Sequence, residues 1–453
     1  MTVEGCDGAR RAVRFWHSVF VGVAVFLCAT AAMASSTGQA AATPHDFYAL
    51  PTGTHGQPGD IVRSQSFDLA LSVPGQTGPL PASAQRIMYW SNDTHGQPTV
   101  VTGTYLKPTL PWRGPGPRPL IAVAPGTYGQ GDQCAPSKLF GELIHYRPLT
   151  DLFVGYESIT ANVLLAQGMA VVMTDYHGLG TAYVHDYLNR QAEAHAVLDS
   201  ARAALHLAGS GLTPETPVAI FGFSQGGGGA AAAAELQSRY AGELKVVGSY
   251  TGGTPADLRR SLASPAVDGG LFGGRLGGSA QGLIGFVLNG IYADYPQTRG
   301  EIDAALNATG HRMLREVAGM CVGEMAVRYM FRPSTMLTTT GRSAGDVIAT
   351  HPALRAAIDA QRIGHLRPGA PVLVAGSNGD DVLPIGQIRQ MAADWCAQGA
   401  TVQFERTAWI PTLFPSTATG HGLAFMQGLS QGVGWVNDRL AGKPAPSNCS
   451  RLP

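Results

Sequence analysis

Ser224 stands in Gly222-Phe223-Ser224-Gln225-Gly226, a G-x-S-x-G pentapeptide. An apolar, β-rich run, Val218 to Phe221, precedes it, and a glycine–alanine tract follows. A strand that turns sharply into a helix at such a serine is a nucleophile elbow, which lifts the hydroxyl above the strand ends. Glycines two positions either side leave room for the turn. A serine hydroxyl is a weak nucleophile unless a base takes its proton, and that base must be oriented by a carboxylate. On a strand–turn–helix elbow the chain order is serine, then acid, then histidine. The order is a strong filter here. The apolar strand Pro371–Ala375 runs into Gly376-Ser377-Asn378-Gly379-Asp380-Asp381, a turn where the acid belongs, and beyond it the chain holds one histidine, His421, between Gly420 and Gly422. Asp380, first after the glycine turn, is preferred as the acid. Asp381 reads as a solvated loop residue or a cap for a helix near Ile385.

An acyl-transfer site also needs N–H donors for the oxyanion. One is expected from the backbone of Gln225, the residue after the nucleophile. The other is expected from the loop Pro125-Gly126-Thr127-Tyr128-Gly129 that leaves an earlier strand, with Thr127 N–H preferred.

The elements that must position these groups follow from periodicity. Strands are predicted at 60–69, 84–90 and 99–106, an antiparallel opening to the sheet, and then at 120–124, 170–174, 218–221, 246–250, 372–375 and 402–405. Helices are predicted at 158–167, 190–207, 225–240, 385–396 and 423–440. Alternating strands and helices give an α/β fold, mostly parallel, with helices on both faces. No strand pattern appears between Gly252 and Pro371. Because long structureless loops are rare, residues 254–367 are expected to be a helical cap inserted into a core of 35–253 and 368–453. Glycines 269, 270, 273, 274, 277 and 278 read as a hinge at its start, and Phe286 and Leu288 on an apolar stripe as walls of an acyl pocket.

With 31 basic and 31 acidic residues the formal charge is zero, so no nucleic-acid partner is expected. Arg10, Arg11 and Arg14 precede the apolar run Val19–Leu27, and Ala32-Met33-Ala34 offers a cleavage site. Residues 1–34 therefore read as a cleaved signal peptide, and the protein as secreted or periplasmic. The run is short for an uncleaved anchor, and no small residue precedes Cys28 as a lipoprotein cysteine would require. Of six cysteines, Cys6 and Cys28 fall in this leader, which leaves Cys134, Cys321, Cys396 and Cys449. An even number in an exported chain predicts two disulfides. Cys134 follows the oxyanion loop and Cys321 lies in the cap, while Cys396 ends a late helix and Cys449 lies in the tail. The pairing Cys134–Cys321 with Cys396–Cys449 is accordingly preferred over the two alternatives. No metal-ligand spacing occurs, and no metal or organic cofactor is expected.

Five segments taken together carry a family resemblance: Gly222–Gly227, Cys134-Ala135-Pro136-Ser137, Asp175-Tyr176-x-Gly178-Leu179-Gly180, Gly379–Pro384 and Gly420–Gly422. In that order they resemble the secretory lipase, or lipase-A-like, family of α/β-hydrolases, over about Phe47 to Lys443. The resemblance implies an ester-hydrolysing enzyme with a helical cap, and carries catalytic roles onto Ser224, Asp380 and His421. Gln225 departs from it, since many relatives have a small residue there. The expected substrate is a small ester or a lipid, met in solution or at a lipid interface by a monomer. A peptidase or acyltransferase on the same fold is the rival among enzymes. A non-catalytic binding module is the rival of another class, and such a chain would be expected to have lost a triad member.

Overall fold

A computed structural model describes residues 46–452 apart from 54, 71–81, 143, 148–150, 265–266, 268–277, 279 and 408–415. The leader reading and five of the six hinge glycines (all but Gly278) lie outside the described residues.

The frame is a nine-stranded sheet. Its first three strands, β1 (Ile61–Phe67), β2 (Ala82–Asn92) and β3 (Pro98–Pro108), form an antiparallel meander. The next strands of the sheet are β4 (Leu120–Ala124), β7 (Ala170–Thr174), β8 (Val218–Phe223), β9 (Val246–Gly252), β10 (Val372–Ser377) and β11 (Val402–Thr407). The spatial order is β1-β2-β3-β7-β4-β8-β9-β10-β11, and all neighbours from β7 onward are parallel. β3 and β7 are joined antiparallel. The fold is thus the mixed, mostly parallel α/β arrangement that strand–helix alternation predicts.

Period-two patterning divides the core. Leu120, Ala122 and Ala124 of β4, with Val218 and Ile220 of β8, face one layer; Ile121 and Val123, with Ala219 and Phe221, face the other. Helices α3 (Arg190–His206), α4 (Gln225–Tyr240) and α12 (Ile385–Ala397) cover the first face, the alanines 230–234 and Trp395 being fully or almost fully buried. Helices α1 (Pro136–Glu142), α2 (Ser158–Leu165) and α13 (Thr419–Leu440) cover the second through Phe140, Leu164 and Val436. Both faces being covered is why these strands read as continuous apolar runs.

A two-stranded hairpin, β5 (Ile144–Arg147) and β6 (Asp151–Val154), and helix α1 fall where sequence periodicity predicts nothing. Four-residue strands around Pro148 are too short to show a period.

Between β9 and β10 the described residues contain helices and no strand: α5 (Leu258–Leu262), α6 (Leu283–Asp294), α7 (Arg299–Ala305), α8 (Ala308–Val317), α9 (Val322–Tyr329), α10 (Ala344–Thr350) and α11 (Pro352–Asp359). Local chemistry starts several of them. Asn307 accepts the N–H groups of Thr309 and Gly310 at 2.9 and 3.1 Å, and Ser343 accepts that of Asp346 at 3.1 Å. This segment buries its own apolar cluster around Phe286, Ile302, Met313, Val317 and Ile358. It nonetheless belongs to the same compact unit as the sheet. Disulfides join Cys134 to Cys321 and Cys396 to Cys449, the preferred pairing.

Candidate active site

β8 ends at Phe223 and α4 begins at Gln225, so Ser224 alone makes the turn, with φ 61° and ψ −125°. A β-carbon on Gly222 would lie 2.0 Å from the carbonyl oxygen of Gly226, and one on Gly226 would lie 2.0 Å from that of Ala124. The motif's glycines are therefore required by backbone approaching backbone.

The imidazole of His421 bridges two groups far away in sequence. Its Nε2 is 2.9 Å from Ser224 Oγ, and its Nδ1 is 2.8 Å from Asp380 Oδ2. Asp380 Oδ1 accepts the N–H groups of Val382 and Leu383 at 3.0 and 2.9 Å, which locks the carboxylate in the turn after β10. Burial draws the His421 pKa down, but the Asp380 charge and hydrogen bond, with a further contribution from Asp381, more than offset it and hold it above its ordinary value.

Asp381 is half-buried and does not cap α12. Its carboxylate accepts the N–H groups of Thr417 and Ala418, at 3.0 and 2.9 Å, and that of His421 at 3.2 Å. This explains why α13 begins at Thr419 rather than at Leu423, and why His421 lies in its first turn rather than before it. The cap comes from a segment some forty residues earlier, which no local pattern signals.

The loop after β4 is held from four side chains. Tyr176 Oη donates to the Pro125 carbonyl at 2.8 Å, and Tyr156 Oη to the Thr127 carbonyl at 3.2 Å. Gly126 N–H donates to Glu157 Oε1 at 2.9 Å, and Thr127 Oγ1 shares a hydrogen with Tyr187 Oη at 2.7 Å. Among the described residues no protein acceptor lies on the N–H of Thr127 or on that of Gln225. Glu157, Tyr156 and Tyr187 are marked by no motif in the sequence, and Tyr176 stands in one of the five family segments without a role being assigned to it.

The Gln225 side chain is clamped. His185 Nδ1 lies 2.9 Å from the His177 carbonyl, so the proton sits there and Nε2 is left to accept from Gln225 Nε2 at 3.1 Å. Glu193 Oε1 accepts the other amide hydrogen at 2.8 Å. Burial holds the Glu193 carboxyl well above the usual carboxylate range and the His185 imidazole below its own.

A cavity of about 510 Å³ opens on Ser224, His421 and Thr127. Its walls are Phe223 from the elbow, Leu283, Met325 and Met330 from the segment between β9 and β10, and Phe425 and Met426 from α13. A second, small cavity of about 30 Å³ reaches Ser224 and Gln225 between Leu258, Leu262 and Val287. Phe286 and Leu288 line neither. Phe286 is fully buried, edge-on to Tyr187 with centroids 5.6 Å apart. Leu288 faces a cavity inside the helical segment, with Ile302 and Met313. The site-facing stripe near the start of α6 is Ala280, Leu283 and Val287. This helix is apolar on nearly every side, so periodicity finds the helix but not the face turned to the serine.

Comparison with known proteins bears on the fold and the family. Over 408 residues the chain is 28% identical to a probable inactive lipase of Mycobacterium tuberculosis, covering 88% of this chain and 82% of that protein. Over 324 residues it is 28% identical to a secreted triacylglycerol lipase of Malassezia furfur, covering 71% and 78%. Among solved structures, Candida antarctica lipase A superposes with a TM-score of 0.71 at 20% identity, covering 90% of this chain and 89% of that one. The rice cell wall degrading esterase LipA of Xanthomonas oryzae follows the same α/β-hydrolase fold with a TM-score of 0.67 at 19% identity, covering 86% and 100%. Residues 144–448 match the family described as secretory lipase, and the chain belongs to that family.

Proposed function

We propose that the protein is a secreted carboxylic-ester hydrolase in which Ser224, His421 and Asp380 are the nucleophile, the base and the orienting acid. Family membership alone does not decide this, since one relative is named a probable inactive lipase and others are named secreted triacylglycerol lipases. The observation that carries it is the single imidazole placed 2.9 Å from Ser224 Oγ and 2.8 Å from Asp380 Oδ2. His421 Nε2 takes the serine proton as Oγ attacks the ester carbonyl, and then delivers it to the departing alcohol. Asp380 holds the imidazole in the tautomer with its proton on Nδ1 and stabilises the imidazolium. The free N–H groups of Gln225 and Thr127 are the donors for the oxyanion. Water, deprotonated by the same imidazole, releases the acid from Ser224.

The apolar walls around Leu283, Met325 and Phe425 fit a hydrocarbon portion of the ester, and residues 254–367 act as the cap that supplies half of them. Two disulfides fit an oxidising compartment reached through the leader at 1–34. The test is labelling by a fluorescent alkyl phosphonate together with turnover of p-nitrophenyl esters. Wild type should show both and Ser224→Ala neither, with an unchanged circular-dichroism spectrum. Ester turnover surviving in Ser224→Ala would remove the serine from the mechanism.

A further inference from the structure

Glu157 lies outside every motif in the chain, yet its side chain lines the same cavity as Ser224 and His421. It is only 2% exposed and sits in the turn that leads into α2. A carboxyl group so placed in an apolar chamber is costly unless it does something there. Burial pushes it above the usual carboxylate range, and the hydrogen bond from Gly126 N–H works against that push.

We propose that Glu157 is a positioning residue for the oxyanion donors, fixing the plane of the Pro125–Gly126 peptide so that the next N–H, that of Thr127, faces the reacting carbonyl. The inference rests on the serine-hydrolase reading above. Three observations carry it. The acceptor is Glu157 Oε1, 2.9 Å from Gly126 N. The loop cannot be held from within, because it belongs to no helix or strand and its carbonyls at 125 and 127 are tied by Tyr176 and Tyr156. The loop also lies directly on the elbow. A β-carbon on Gly126 would stand 2.3 Å from Tyr156 Oη and 3.4 Å from the Phe223 carbonyl, and one on Gly226 would stand 2.9 Å from Pro125 C. A small rotation of the 125–126 peptide therefore turns the Thr127 N–H away from the space above Ser224. Of the ties named above, only that to Glu157 engages a backbone N–H of the loop, and Glu157 reaches it from the cavity wall.

The prediction is an effect confined to the transition state. Glu157→Leu keeps the bulk and removes the acceptor. Its kcat on p-nitrophenyl butyrate should fall about a hundredfold, as when one oxyanion donor is lost, while KM changes less than threefold. Inhibition by butylboronic acid, whose tetrahedral serine adduct needs the same donors, should weaken in step. Glu157→Gln keeps an oxygen in the acceptor position and should recover to within about fivefold of wild type. Should Glu157→Leu not yield folded protein, Glu157→Asp carries the test, since it keeps the charge but draws the acceptor back by one methylene. It should resemble the expected Leu result and not the Gln one. A Glu157→Leu or Glu157→Asp enzyme with kcat within threefold of wild type overturns the proposal. A Glu157→Gln enzyme as slow as Glu157→Leu overturns it too, since the charge and not the hydrogen bond would then matter. A wild type that turns over no ester and takes no phosphonate is a different failure, and it removes the hydrolase reading itself.

Discussion

Asp380 and Asp381 are neighbours that grip one residue from two sides: the first takes the His421 imidazole at 2.8 Å, and the second takes the His421 backbone N–H at 3.2 Å. Side-chain orientation and backbone placement of His421 are thus divided between adjacent carboxylates.

The division can be separated by mutation. Asp380→Asn should lower kcat on the order of 10³- to 10⁴-fold, because an amide favours the wrong imidazole tautomer, with little change in melting temperature. Asp381→Ala should instead cost about 1–2 kcal/mol of stability through lost capping of α13, and much less of kcat. Thermal unfolding and steady-state kinetics on both variants decide it. The reverse pattern would assign the acid to Asp381.

The pH profile follows from the sign of the His421 shift. The base must be neutral to accept the serine proton, and its pKa lies above the ordinary value, so the enzyme stays protonated to higher pH than a free imidazole would. The acid limb of kcat/KM should therefore fall on the alkaline side of about 6.5, the ordinary histidine pKa. Asp381→Asn removes one of the charges that raise it and should move the limb downward. A limb at or below pH of about 5 in wild type would contradict a histidine base.

Phe286 and Leu283 should part company. Phe286→Ala empties a fully buried site and should cost about 3–5 kcal/mol, with all esters affected alike. Leu283 lines both cavities at Ser224. Leu283→Asp should flatten the rise of kcat/KM from acetate toward medium-chain esters and leave acetate nearly unchanged. Each enclosed methylene contributes roughly 0.8 kcal/mol, so four carbons span about 3 kcal/mol of that rise. Parallel loss on every ester in Leu283→Asp would return the residue to a purely structural role.

The two disulfides should differ in what they protect. Cys134–Cys321 closes a separation of 187 residues and ends one turn beyond the oxyanion loop; Cys396–Cys449 closes 53 and pins the tail. Replacing Cys134 and Cys321 by serine should lower stability by up to about 5 kcal/mol and depress kcat at temperatures where the protein is still folded. Replacing Cys396 and Cys449 should lower the melting temperature alone. Equal kcat losses from the two double variants would contradict this separation.

Much of the frame was legible because its signals are local and repeated. The buried strands are unbroken apolar runs, and β8 turns into α4 at a glycine-flanked serine. The fold class follows from these, and the family from five short segments taken together in order. What stayed hidden depends on contacts between distant segments. Asp381 caps a helix starting at Thr419, Glu157 ties a loop thirty-one residues before it, and nothing near either residue says so. Phe286 and Leu288 were read onto the wrong face of α6 for a related reason: on a helix apolar nearly all round, sequence carries no sign of which side meets the site.

The glycines of the elbow divide this protein into parts that can vary and parts that cannot. At Gly222, Gly226 and Gly227 an added β-carbon would lie 2.0 to 2.2 Å from a backbone carbonyl oxygen. A neighbouring side chain can be exchanged to make room, but a carbonyl cannot, so no second substitution rescues a first one there. The cavity wall is built the other way, from side chains on helices, with the flexible thioethers of Met325, Met330 and Met426 among them. Drift, or a directed-evolution library, can therefore reshape what the enzyme accepts while the elbow stays fixed, and new substrate range has to come from Leu283, Met325, Met330, Phe425 and Met426.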